Sequence, residues 1–141
     1  MVMGRFKNKV AFVTGVAGEL GMGFAVAKAL VEEGAMLGIA DISEKVHARA
    51  KDLRNMGYKA VSFTVDLTDL KELCKIADEI INIYGRVDVL ANVAGMAFHG
   101  TDEIFKDVVD LTEEEWDFGI NINLKSTFNC IKAFLPNMIE N

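Results

Sequence analysis

Proline, cysteine, tryptophan and clustered basic residues are all scarce in this sequence, and each scarcity removes a class of protein. One proline, Pro136, and one tryptophan, Trp116, occur in 141 residues. With no proline-rich tract, no semi-rigid linker divides the chain. The two cysteines, Cys74 and Cys130, lie far apart inside helical patterns, which suits packing in a core or on a helix surface rather than a disulfide framework. The two histidines, His47 and His99, have no partners at ligand spacing, so no metal site is expected. His47 belongs to an amphipathic helix surface, whereas His99 falls in a loop and is a candidate to face a substrate. Formal net charge is −6 and no run of Lys or Arg occurs. Nucleic-acid recognition needs many phosphate contacts and is excluded. No apolar run approaches the roughly 20 residues of a membrane-spanning helix. The basic start, residues 1–9, leads to an apolar stretch at 10–13 that is far too brief for a signal-peptide core. The cytoplasm is the expected location.

What is present describes a packed globule. Half of the residues, 51%, are hydrophobic and 26% are charged, a balance that folds rather than staying disordered. A chain of this length fits one domain, residues 1–141, and buries about 70% of its unfolded surface. The mean hydropathy of +0.23 is high for a small domain, and implies apolar surface for a partner or for a further part of the same fold.

Short apolar runs alternate with longer amphipathic stretches. Residues 9–14 (KVAFVT) read as a buried strand, and 21–33 as a helix stopped by Gly34. A second strand at 36–41 (MLGIAD) precedes a helix at 43–56 stopped by Gly57. A third at 60–66 (AVSFTVD) precedes a helix at 69–84 stopped by Gly85. The fourth strand, 87–92 (VDVLAN), leads to a long loop at 96–111 and a last helix from Glu113 towards the end. Thr112 and Glu115 form the capping-box pattern for that helix. Strands alternating with helices of this length give βαβ crossovers and a parallel sheet covered on both faces.

The first crossover carries the chemistry. Residues 14–21 (TGVAGELG) run from the first strand straight into a helix. Gly15, Gly18 and Gly21, with Glu19 and Leu20 between them, place main-chain N–H groups where no Cβ blocks a pyrophosphate. The helix N-terminus adds unpaired donors and roughly half a positive charge. An acidic residue, Asp41, closes the second strand about twenty positions on, with Ile42 beside it. A carboxylate there can accept hydrogen bonds from both adenosine-ribose hydroxyls. It would repel a 2′-phosphate by roughly 1–4 kcal/mol at contact, and positions 42–44 (ISE) offer no Lys or Arg to offset it. The cofactor preferred is therefore NAD over NADP. Asp66 and Leu67 close the third strand where an adenine would lie. Asn92, Ala94 and Gly95 close the fourth, where a nicotinamide half would cross the sheet. The expected fold is an α/β, Rossmann-type doubly wound parallel sheet, of which the first four βα units are present.

Together these residues resemble the short-chain dehydrogenase/reductase family of NAD(P)-dependent oxidoreductases. The likeness runs through KVAFVTG, the glycine loop, AD at 40–41, VDLTD at 65–69, GRVDVLANVAG at 85–95 and the Asn-Ile-Asn-Leu of 121–124. It implies that Gly15, Leu20 and Gly21 line the pyrophosphate, Asp41 the adenosine ribose, and Asp66 and Leu67 the adenine. It likewise implies that Asn92, Ala94 and Gly95 support the middle of the cofactor. Asn123 matches the family's active-site asparagine, which interrupts a helix and holds a water in the proton relay. Two departures stand out. The family's usual loop is T-G-x-x-x-G-x-G, and Glu19 takes the place of its second glycine, so the spacing here is T-G-x-x-G-x-x-G. A carboxylate beside a pyrophosphate is unfavourable unless it points to solvent. The family also needs a Ser on the fifth strand and a Tyr-x-x-x-Lys pair, yet Ser62 follows Tyr58 and Asp88 follows Tyr84 at that spacing.

Three functions fit these residues. The first is the cofactor-binding part of an NAD-dependent dehydrogenase whose intact parent interconverts an alcohol and a ketone, this stretch alone being inactive. The second is a complete, non-catalytic NAD-binding or interaction module. The third, an adenosyl-methionine methyltransferase, shares the loop and the acidic strand end but not the Asn-Val-Ala-Gly and Asn123 context. In the first case the fourth strand has an unpaired edge and the last helix a bare apolar face. A homo-oligomer is then expected, and the family resemblance, in which the last helix packs on another subunit, makes Phe128, Ile131 and Phe134 candidates for an interface or for the core.

Overall fold

The computed structural model describes residues 4–96 and 106–141. Phe98 and His99 lie outside the described residues. Strands β1 (Val10–Thr14), β2 (Met36–Asp41), β3 (Ala60–Thr64) and β4 (Val89–Ala91) alternate with helices α1 (Met22–Glu32), α2 (Lys45–Asn55) and α3 (Leu70–Tyr84). A single 3₁₀ turn at Val108–Asp110 precedes α4 (Glu113–Ile120), a π-helical turn at Asn121–Lys125, and α5 (Ser126–Glu140). The four strands form one parallel sheet in the order β3-β2-β1-β4. This is the expected Rossmann-type α/β arrangement.

The period-2 alternation of the strands sorts their side chains onto two cores. Ala11, Val13, Leu37 and Ile39 face α1 and α2, meeting Ala27, Leu30, Val31, Ala50 and Leu53. Val10, Phe12 and Ala40 face the other way, onto Leu73, Ile76, Ala77 and Ile80 of α3 and Cys130 and Phe134 of α5. The apolar positions of α3 recur at i, i+3, i+4 and i+7, the spacing that lays one helix stripe on a sheet. Burial pushes the Cys130 thiol up to about 12, so it packs as a small hydrophobe. Phe134 is fully buried and its ring stacks on Phe12 with centroids 4.3 Å apart. Of the three apolar residues in the last helix read as interface or core, Phe134 is therefore core, while Phe128 and Ile131 are exposed. They continue a stripe that includes Trp116, Ile120, Leu124, Leu135 and Ile139 along the outer side of α4 and α5.

Helix ends follow the sequence signals closely. The Asp69 side chain accepts from the Lys71 and Glu72 N–H groups at the start of α3, and Gly85 ends that helix at φ 85°, in the left-handed region that glycine enters without strain. The Thr112–Glu115 capping box forms in full. Lys106, hydrogen-bonded to Glu115, together with the Thr112 N–H, holds that carboxyl down to about 2.

Strand limits differ from the sequence reading, because side chains intercept the ladder. β4 spans Val89–Ala91 rather than residues 87–92. At its start the Val87 N–H donates to Asn137 Oδ1; past its end the Val93 and Ala94 N–H groups turn to the Thr14 hydroxyl. The last helix, read from Glu113 towards the end with a family asparagine that interrupts it at Asn123, widens at Asn121–Lys125, where the Ser126 N–H reaches back to Asn121 O. The Ser126 and Thr127 hydroxyls take the carbonyls of Ile122 and Asn123, the side-chain competition that loosens a helix ladder.

Asp88 ties the sheet's bottom together, accepting from Lys9 Nζ at 2.9 Å, the Val10 N–H at 2.9 Å and Arg86 Nε at 3.0 Å. Burial pushes its carboxyl up, but these donors outweigh burial and hold it below the ordinary aspartate value. Its stabilising contribution is thus complete above the unfolded pKa and is lost as pH falls through the lower folded value. Urea titrations should show a constant stability gap between the wild type and Asp88→Asn near neutral pH, narrowing only once the pH falls below the ordinary aspartate value of 3.8. Phe134→Ala should cost about 3–5 kcal/mol by chemical denaturation; a loss below about 1 kcal/mol would remove Phe134 from the core.

Candidate functional site

The strand order reverses at β1. From β1 the chain moves outward through β2 to β3, then returns to place β4 on the opposite side of β1. Crossovers therefore leave in opposite directions above β1 and β4, opening a crevice at their C-terminal ends, the usual ligand position in open α/β sheets. A cavity of about 570 Å³ lies there, bordered by Gly15 and Gly23 below, Asp41 and Ile42 on one side, and Ala94, Gly95 and Met96 on the other. Asp66, Leu67, Phe118, Ile122 and Ser126 add to its wall, with Met22 at the start of α1.

Local chemistry fixes this shape. The Gly15 N–H donates to Ala40 O at 2.9 Å, and Gly15 turns to φ 74°. A Cβ on Gly15 would lie 2.8 Å from the Ala94 backbone, and one on Gly23 would lie 2.1 Å from Gly15 O. No side chain fits at either place, so the loop, α1 and the end of β4 meet main chain to main chain. Thr14, 1% exposed, accepts the Val93 and Ala94 N–H groups at 3.1 Å each through its hydroxyl. Neither Thr14 nor Gly23 was singled out from the sequence. A Thr before the loop glycine and a further glycine after Gly21 were the visible signals.

The start of α1 differs from those of α3 and α4. Its N-cap, Gly21, provides no side-chain hydrogen bond, and no acidic residue occupies the first turn. The helix thus presents uncapped N–H groups and the positive end of its dipole beside the crevice. Gly18 and Gly21 close the loop through a 3.0 Å N–H to carbonyl contact. Leu20 is fully exposed, and Glu19 extends outward to within 3.4 Å of Arg49 Nη1. These four loop residues do not line the cavity, whereas Gly15 does.

Asp41 sits at the crevice edge with a fixed carboxylate. Oδ2 accepts the Ala17 N–H at 2.9 Å and Oδ1 the Ser43 N–H at 3.0 Å. Each oxygen retains a lone pair for another donor. Asp66, although it borders the crevice, turns Oδ1 back onto the N–H and hydroxyl of Thr68. Asn129, buried on α5, holds the same segment by donating to the carbonyls of Leu67 and Thr68 at 3.0 Å.

The two candidate asparagines behave differently. Among the described residues Asn92 Oδ1 is buried with no hydrogen-bond partner, a cost of about 1–3 kcal/mol unless a donor arrives. Asn123, in the π turn, donates from Nδ2 to Met96 O and Gly119 O and accepts the Met96 N–H on Oδ1. It clamps the segment after β4 to the last helix, and a Cβ on Gly95 would strike its Oδ1 at 2.6 Å. Neither tyrosine borders the cavity. Tyr58 packs on the core beside α1 and α2. The Tyr84 hydroxyl donates to Leu37 O, and burial raises its pKa, with Arg54 opposing. Among the described residues no group of His, Cys, Asp and Glu could hold a metal, and no helix is long and apolar enough to cross a membrane.

A glycine-walled crevice at a switch point, beside an uncapped helix start and a strand-end carboxylate, defines a dinucleotide-binding type of α/β protein. The chain belongs to the short-chain dehydrogenase family, whose model matches residues 9–141. It is 38% identical over 138 residues to dehydrogenase/reductase SDR family member 6 of Rattus norvegicus, covering 97% of this chain and 49% of that protein. It is 33% identical to the 3-oxoacyl-[acyl-carrier-protein] reductase FabG of Thermotoga maritima, covering 96% of this chain and 52% of the other. Carveol dehydrogenase from Mycobacterium avium, solved in complex with NAD, superposes with a TM-score of 0.86 at 26% identity, covering 97% of this chain and 52% of that one. The chain spans about half the length of the curated relatives it matches. Family membership sets aside the methyltransferase alternative.

Replacing Thr14 by Val removes the acceptor shared by Val93 and Ala94 while keeping the shape. We expect a loss of about 1–3 kcal/mol in chemical denaturation, with Thr14→Ser close to wild type; equal stability of the Val variant would show that the hydroxyl does not hold the strand ends together.

Proposed function

We propose that this chain is the cofactor-holding part of an NAD-dependent oxidoreductase that interconverts an alcohol and a carbonyl compound. One observation carries the reading: at Gly15 and Gly23 any Cβ would collide with backbone, so the floor of the crevice is bare main chain beside the uncapped α1 start. That surface suits a pyrophosphate. The Gly15, Gly18 and Gly21 turn and Leu20 would border the diphosphate, with Glu19 turned outward. Asp41, held by two backbone donors, would accept the ribose hydroxyls next to Ile42, and the adenine would lie against Asp66 and Leu67. Asn92, Ala94 and Gly95 would flank the nicotinamide ribose. The orphaned Asn92 Oδ1 would gain a donor there.

NAD supplies a hydride acceptor when bound, and NADH a hydride donor. The protein's share is positioning. Asp41 selects the unphosphorylated ribose, since a 2′-phosphate would face its charge. Asn123, through its Met96 clamp, fixes the segment after β4 and, as in the family it belongs to, would order a water of the proton relay. The proton-transferring Tyr-x-x-x-Lys pair is not found in these 141 residues, so this chain alone would bind without turning over. The exposed stripe on α4 and α5 supports a homo-oligomeric parent, and the cytoplasm is its proposed site of action.

Calorimetry should detect NAD binding to the folded protein, with NADP weaker. Asp41→Ala should weaken NAD about tenfold or more and narrow the gap to NADP. No heat with either dinucleotide would end the reading; unchanged affinities in the variant would end the role given to Asp41.

A further inference from the structure

Glu19 stands where the family's usual loop has a glycine, and the structure shows what receives it. Its Oε2 lies 3.4 Å from Arg49 Nη1, and neither residue lines the crevice. Arg49 belongs to α2, and its side chain is only 15% exposed, against 78% for Glu19. The guanidinium is fixed from several directions. Its carbon lies 5.5 Å from the centroid of Phe24, in the first turn of α1, and its Nη2 pairs with Asp52 at 3.1 Å. Among the described residues its Nε is buried with no hydrogen-bond partner. Arg49 is thus a largely buried cation held against the first turn of α1, and Glu19 is its exposed partner.

An exposed pair of this kind adds little to stability; what it controls is where the carboxylate points. Released from Arg49, the Glu19 charge would be free to swing towards the α1 start, where it would compete with an incoming phosphate for the same N–H groups. We propose that Arg49 is a positioning residue for the dinucleotide: it draws Glu19 out of the phosphate loop and so lets a loop lacking its second glycine accept a pyrophosphate. This rests on the cofactor reading above and concerns the same site.

The test is a double-variant comparison by calorimetry with NAD at low and physiological salt, each protein checked for folding by its thermal melt. Arg49→Met keeps an unbranched stem over Phe24 but removes the charge. It should weaken NAD about three- to tenfold at low salt, with a smaller loss at higher salt. Adding Glu19→Gln to Arg49→Met should return the affinity to within about twofold of wild type, because the harmful carboxylate is then gone. A purely structural role for Arg49 would leave the double variant as weak as the single one, and that outcome overturns the inference. So does a single variant that binds like wild type. Should Arg49→Met melt below the assay temperature, Arg49→Gln carries the same comparison with a polar head. If the wild type itself gives no heat with NAD, the cofactor reading and this inference fall together; if the wild type binds and the rescue fails, only the role of Arg49 falls.

Discussion

Where β1 and β4 end, their chains part, and the backbone groups exposed by that parting have to be satisfied without a ladder. Thr14 does this with one hydroxyl shared by two amides of the opposite strand end. Gly15 lets the next peptide pass against Ala94 with no side chain between them. The crevice, its glycine floor and the direction of α1 all follow from that junction. Most of the residues given roles above are either parts of it or are placed by it: Asp41 through the Ala17 amide, Asn123 through Met96.

The acidic residues show how one side-chain type serves different ends according to its donors. Asp88 gathers cations and an amide beneath the sheet and is structural. Asp69 caps a helix. Asp41 is held just as firmly, but with lone pairs left towards a cavity. Glu19 is the exception, since among the described residues its carboxylate meets a cation anchored on another helix. A net charge of −6 is therefore not spread evenly in its consequences: the carboxylates that matter are the few whose orientation is dictated from elsewhere.

The order of strands and helices was legible in the sequence because apolar runs of strand length alternate with 3.6-period stripes, and because Gly34, Gly57 and Gly85 mark helix stops that all take positive φ. The loop glycines and Asp41 were legible from their spacing. Less visible was anything that depends on two distant segments meeting. The sequence does not say that Thr14 would end β4 early, that Phe134 would stack on Phe12 rather than face outward, or that Glu19 would find Arg49 thirty positions on. Those are properties of packing, and periodicity within one segment carries no trace of them. The widening at Asn121–Lys125 was anticipated only through the family's asparagine; its local cause, hydroxyls bidding for helix carbonyls, lies in Ser126 and Thr127.

The pairing of β1 with β4 joins Ala11 to Val89, across nearly the whole set of preceding crossovers. Parallel contacts so remote along the chain form late, since the intervening loop must be closed before they reward it. Much of the crevice wall, from Val93, Ala94, Gly95 and Met96 to Phe118, Ile122 and Ser126, follows β4 in the chain. During synthesis or refolding, an opening βαβ unit that has already collapsed would hold its glycine turn with nothing opposite until the segment after β4 is in place.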